Sequence, residues 1–338
     1  MITVLQFVSY IESLTWAMRM PVSAASFAQM TTPSAVVSVA PIILPSSGLG
    51  RGLDVQLRAS VPATGSSLPI ILFSHGNGQS LHAYGPLADY WASHGFCVLQ
   101  PTHLDSRTLG ISADDPRRRQ FWRHREEDLL RILDGLDELE ASEAGAPILQ
   151  GRLDRTRIAV AGHSWGGQTA SVFLGATHPD PDSPGTMIDR KDDRVKAGVL
   201  FAVPGNGGKD LSELGAKMFP FMHPNFSGMT TATLIVAGDK DQGHLTSRGS
   251  DWWRDAYDLS PSANKALFTA FGGEHALGGL PGYESREATD ERPQRVEVIQ
   301  RLSTAFLRSA LYPGEDTWDK VVAEVNADAQ PEGRIENK

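Results

Sequence analysis

The chain has 338 residues, 41% of them apolar and 21% charged, a composition that allows a sizeable core and argues against wholesale disorder. A net charge of −9 argues against a nucleic-acid protein, which presents a basic face to phosphates. The single cysteine, Cys97, excludes an intrachain disulfide and four-cysteine zinc sites.

Residues 1–30 read as an N-terminal extension. Met1 to Val8 is apolar but lacks a basic n-region, and Glu12 and Arg19 interrupt the run, so it makes a poor signal peptide. A peripheral helix is the preferred reading and a degenerate export signal the alternative. No run here or later reaches the roughly 20 apolar residues of a membrane span. With Cys97 set in the apolar run Phe96-Cys97-Val98-Leu99, a cytoplasmic protein is favoured and a secreted one is the alternative.

From residue 31 to 312, short apolar runs alternate with helix-period segments, the pattern of crossover units in a mostly parallel sheet of about eight strands with helices on both faces. The candidate strands are Val36 to Ile42, Asp54 to Val61, Ile70 to Phe73, Cys97 to Gln100, Ile158 to Ala161, Ala197 to Ala202, Leu234 to Ala237 and Leu267 to Phe271. Helices are expected over Tyr84 to His94, Glu126 to Leu139, Gly167 to Ala176, Arg248 to Tyr257 and Val296 to Leu311. The basic stretch Arg117 to Arg125, running into Glu126, Glu127 and Asp128, reads as a solvated helix face with local ion pairs, with steering of an anionic substrate as the alternative. Residues 313–338 form a polar tail expected to pack loosely.

Four segments carry the chemistry. Ile70 to Ser74 leads into His75-Gly76-Asn77-Gly78, a glycine-flanked loop that frees the Asn77 amide to act as an oxyanion donor; His75 itself reads as a loop-packing residue rather than a base. Gly162-His163-Ser164-Trp165-Gly166 follows an apolar strand and precedes a helix, the context of a nucleophile elbow with Ser164 exposed on a strained turn. This places the Trp165 amide at a helix N-terminus as the second donor, with His163 as a spacer behind the serine. Next, the run Thr233 to Ala237 ends in Gly238-Asp239-Lys240-Asp241. Asp241, three residues beyond the glycine, is the chosen acid and Asp239 the runner-up. His275, in a glycine-bracketed loop after the last strand, is the general base, since His244 lies too close to Asp241 in sequence. An apolar insertion over about 204–230, read as a lid or pocket wall with a core-packing loop as the alternative, supplies Phe219, Phe221 and Met222 as candidate pocket residues, together with His75 and His103.

These residues resemble the dienelactone-hydrolase, chlorophyllase, platelet-activating-factor acetylhydrolase and cutinase-like branch of the α/β-hydrolases. The likeness rests on Leu72-Phe73-Ser74-His75-Gly76, on Trp91-Ala92-Ser93-His94-Gly95-Phe96, on Asp128 to Asp134 and on the elbow. It implies the α/β-hydrolase fold and carboxylic-ester hydrolysis through an acyl-enzyme, with water and a small-molecule ester as substrates and neither cofactor nor metal. Acetylhydrolases and chlorophyllases of this kind place their acid after the strand that follows the elbow. Here that strand runs into Ala202-Val203-Pro204-Gly205-Asn206, so the acid has to come from the later Asp239/Asp241 loop. Acyl transfer, lactone or amide hydrolysis, peptidase activity and non-catalytic ligand binding stay open as alternatives.

Overall fold

The computed structural model describes residues 32–46, 50–282 and 288–338; the N-terminal extension read over residues 1–30 lies outside them. The strands are β1 (Val36–Leu44), β2 (Val55–Pro62), β3 (Leu68–Ser74), β4 (Cys97–Thr102), β5 (Leu153–His163), β6 (Thr177–Pro179), β7 (Met187–Asp189), β8 (Val195–Phe201), β9 (Ala232–Gly238), β10 (Lys265–Ala270) and β11 (Gly333–Asn337). Among the described residues, nine of them form one sheet in the order β1-β2-β4-β3-β5-β8-β9-β10-β11. Every pairing from β4 through β10 is parallel, while β1, β2 and β11 run antiparallel to their neighbours. The longer helices are α1 (Gly85–Ser93), α2 (Phe121–Asp134), α3 (Trp165–Phe173), α4 (Pro293–Leu311) and α5 (Thr317–Ala327). This is the α/β-hydrolase fold that the sequence leads one to expect.

All seven residues of β3 and all six of β4 are buried, so both faces of the sheet are covered and the strands read as continuous apolar runs rather than alternating ones. Phe73 of β3 and Phe201 of β8 pack against Trp91 of α1, whose indole N–H donates to Ser303 Oγ of α4 at 3.1 Å. Cys97 is fully enclosed, and burial pushes its thiol up to about 12.

Two expectations need correction. The ninth strand, β11, comes from the tail that reads as loosely packed, and it pairs with β10 from Ala270↔Gly333 to Ala266↔Asn337. Only Ile335 in Gly333–Asn337 is strongly apolar, so the strand is held by its backbone ladder and leaves almost no hydropathy signal. A side chain at 333 would come within 2.4 Å of the Thr269 carbonyl, which fixes glycine there. Before it, α5 buries Val321 and Val325 and sets Trp318 edge-on to Phe306 of α4.

The second correction concerns α2. It starts at Phe121 rather than Glu126 and ends at Gly135, beyond which a short helix, Leu136–Ala141, carries the periodic leucines on. The charged stretch is a solvated face only at its start, where Arg118 and Arg119 are exposed and Arg117 pairs with Asp115, because Arg125, Glu126 and Asp128 are buried. Their partners come from remote segments: Asp105, His178 and Arg51, at 2.7 Å each. Arg125 is four residues from both Phe121 and Leu129, so it sits in the inward stripe of the helix.

Because the central strands are parallel, their carboxyl ends lie along one edge of the sheet. The loops after β3, β4, β5, β9 and β10 therefore all emerge together.

Candidate active site

Ser164 occupies the turn between β5 and α3 with φ 55° and ψ −123°, a conformation that costs an L-residue free energy and persists only where its surroundings impose it. The surroundings here are tight. A Cβ at Gly162 would lie 2.2 Å from the Gly166 carbonyl oxygen, and one at Gly166 would lie 2.0 Å from that of Ser74. The two glycines of the motif thus let β3, β5 and α3 approach closely enough to force the turn, and the Ser164 amide is tied to the Phe201 carbonyl at 2.9 Å.

His275 Nε2 lies 2.9 Å from Ser164 Oγ, and its Nδ1 lies 2.8 Å from Asp241 Oδ2. A carboxylate can only accept, so Nδ1 carries the proton and Nε2 is left to accept from the serine hydroxyl. Asp241 is 1% exposed, and its backbone carbonyl takes the Trp253 indole N–H at 3.1 Å. Trp253 also covers the His275 ring, with centroids 4.7 Å apart. Asp239 is elsewhere: its Oδ1 accepts from the Gly272 amide at 2.7 Å. The amides of Asp239 and Lys240 still bond to Ala270 and Gly273, so the chain leaves the sheet edge only at Asp241. His244 lines the cavity but has no contact with Asp241 among the described hydrogen bonds.

A cavity of about 770 Å³ opens over this group, lined among others by Asn77, Trp165, Phe219, Met222, Leu245 and Trp253. The amide of Trp165 is at the first position of α3, where no helical carbonyl can take it. Asn77 sits in the loop after β3, and among the described hydrogen bonds its amide has no partner. The amides on either side are engaged, Gly76 N with Gln79 Oε1 at 3.1 Å and Gly78 N with Asp105 Oδ2 at 2.8 Å.

Three expected pocket residues are displaced. His75 is buried behind the loop: its Nε2 accepts from the His103 amide at 3.0 Å, so Nδ1 is protonated and donates to the Gly76 carbonyl at 2.7 Å. Burial, then the Arg125 charge, holds it well below the usual histidine range. His103 is likewise enclosed, 2.9 Å from both Ser74 Oγ and Asp128 Oδ2. Phe221 does not line the cavity but stacks behind Trp165, centroids 5.6 Å apart. These side chains build the wall from outside because the sheet edge is itself filled by a buried polar layer.

Other contacts have no motif to announce them. His163 Nε2–H donates to the His275 carbonyl at 2.7 Å and its Nδ1 lies 2.8 Å from the Tyr84 hydroxyl, so the elbow and the histidine loop are joined. Burial, reinforced by the charge of His275, pushes His163 down to about 3, which keeps it neutral in this bridge. Arg125 spans Asp105 and the carbonyls of His75 and Gly76. Its position in the apolar stripe of α2 is the one sequence signal that could have singled it out.

Among the described residues no helix is long and apolar enough to cross a membrane. Residues 50–115, which include the Asn77 loop but not the elbow, match the family model of platelet-activating factor acetylhydrolase, isoform II. Platelet-activating factor acetylhydrolase of Cavia porcellus is 29% identical over 169 residues, covering 38% of this chain. The matched stretch spans 38% of that relative's own length. With the fold and the elbow, these likenesses place the chain beside the serine esterases of the α/β-hydrolase superfamily.

Proposed function

We propose that the protein is a serine carboxylic-ester hydrolase in which Ser164 attacks the ester carbonyl, His275 is the general base and Asp241 orients it. The observation that carries this reading is the unbroken chain from Ser164 Oγ through His275 to Asp241, at 2.9 and 2.8 Å, on a serine held at positive φ. His275 Nε2 takes the hydroxyl proton as the Oγ–carbon bond forms and returns it to the departing alkoxide. The tetrahedral oxyanion is received by the amides of Trp165 and Asn77, which need no reorganisation as charge develops. Water, deprotonated by the same histidine, then cleaves the acyl-enzyme and releases the acid.

Substrate selection follows from the cavity, whose size suits a small ester. Phe219, Met222 and Leu245 offer the apolar wall for an acyl or alcohol chain. The deciding experiment is hydrolysis of short and medium p-nitrophenyl esters by the wild type and by Ser164→Ala. Loss of at least about 10⁴-fold in kcat is expected. Absent hydrolysis, or a rate indifferent to the substitution, would sink the proposal.

A further inference from the structure

Behind the candidate oxyanion loop lies a cation that the triad does not use. The Arg125 guanidinium is fully buried and has five N–H donors in a rigid fork. Nε and Nη2 reach the two oxygens of Asp105 at 2.9 and 2.7 Å, Nη1 reaches the His75 carbonyl at 2.8 Å, and Nη2 also reaches the Gly76 carbonyl at 3.2 Å. Its plane lies over the Trp165 indole, 4.5 Å from the ring centroid. Burial alone would raise the Asp105 carboxyl, yet the Arg125 charge keeps it well below the usual carboxylate range, so the pair is ionised.

The contact with Gly76 is the informative one. The Gly76 carbonyl and the Asn77 N–H belong to a single peptide group, planar and trans, so a bond that fixes the oxygen also fixes the direction of the hydrogen. That oxygen takes two donors, His75 Nδ1–H at 2.7 Å and Arg125 Nη2. Donors on a carbonyl draw electron density toward oxygen and strengthen the N–H at the other end of the group. Asp105 meanwhile holds the next amide, that of Gly78. Of these three consecutive amides, that of Asn77 alone has no partner among the described hydrogen bonds, and Asn77 lines the cavity.

We infer that Arg125, anchored by Asp105, is a positioning residue that aims and polarises the Gly76–Asn77 peptide toward the oxyanion. The inference rests on the esterase reading above. It also explains why a buried ion pair is kept where an apolar pair could be as stable: the pair fixes an N–H that a loop alone would leave free.

The test is a double-mutant cycle on the full chain, with Arg125→Lys, Asn77→Pro and the pair, assayed with a p-nitrophenyl ester and by thermal melting. Lysine keeps the charge beside Asp105 but cannot fork onto both carbonyls, and proline removes the Asn77 N–H. Arg125→Lys is expected to lower kcat about 10- to 100-fold with KM changed less than about 3-fold. In the Asn77→Pro background the same change should cost less than about 2-fold, because the donor it serves is gone. An equal loss in both backgrounds, or a kcat of Arg125→Lys within about 2-fold of wild type, overturns the inference. Should Arg125→Lys fail to fold, Asp105→Asn replaces it in the cycle under the same criteria. A wild type that hydrolyses no ester overturns the esterase reading and this inference together; an active wild type with an additive cycle overturns this inference alone.

Discussion

At the scale of single residues, the two aspartates after β9 differ in direction rather than in chemistry. Asp239 is spent on the Gly272 amide, whereas Asp241 is enclosed and aimed at His275. Asp241→Asn should therefore lower kcat about 10³- to 10⁴-fold by favouring the wrong histidine tautomer, and Asp239→Asn by no more than a few-fold. Steady-state kinetics of the two variants separates them; equal losses would mean that the loop, not the carboxylate, matters. Ser164 and His275 could be chosen from sequence because each sits beside a strand in a glycine-marked turn. Asp241 could be preferred only on spacing. The displacement of His75 and His103 was illegible, since whether a histidine at the end of a strand points into a cavity or under a loop depends on neighbours such as Asp128, 25 residues from His103.

Among the elements, β11 is the one whose removal should be felt at the site. It covers the edge of β10, and the Glu332 carbonyl just before it accepts from the Phe271 amide at the start of the His275 loop, at 2.8 Å. A chain ending at Asp328 exposes the unpaired ladder of β10, a template for edge-to-edge association. We expect a lower melting temperature, concentration-dependent light scattering and a kcat reduced by up to about 10²-fold through a misplaced His275. Unchanged melting and turnover would show that the tail is dispensable. A milder version is Gly333→Val, where the new side chain collides with the Thr269 carbonyl and the Phe268 ring and should cost about 1–3 kcal/mol of stability.

For the whole molecule, the buried histidines tie stability to pH. His75, His103 and His163 are all held below their ordinary value, in each case chiefly by burial. Their folded forms stay neutral while the unfolded chain takes up protons below about pH 6.5. The sign is therefore loss of stability on acidification: full above that pH, it falls by about 1.4 kcal/mol per unit for each such histidine as the pH drops toward the folded value. For His163 that window runs down to about 3. Denaturant unfolding between pH 7 and 4.5 should show the decline. His163→Gln should flatten its slope by about one proton, and an unaltered slope would contradict the assignment.

What the sequence by itself determined is local: the alternation of apolar runs with helical segments, the strained elbow at Ser164, and the glycine-marked loops of Asn77 and His275. Each is a statement about a few consecutive residues, where backbone sterics and hydropathy act at short range. Tertiary structure decided what depends on partners far apart in the chain. It turned the charged run of α2 into a buried layer, joined a polar tail to the sheet through backbone bonds, and set Arg125 beneath the Gly76–Asn77 peptide. The physical reason is the same in each case: a buried charge or an edge strand is stabilised only by a complementary group, and that group is supplied by the fold rather than by the neighbouring sequence.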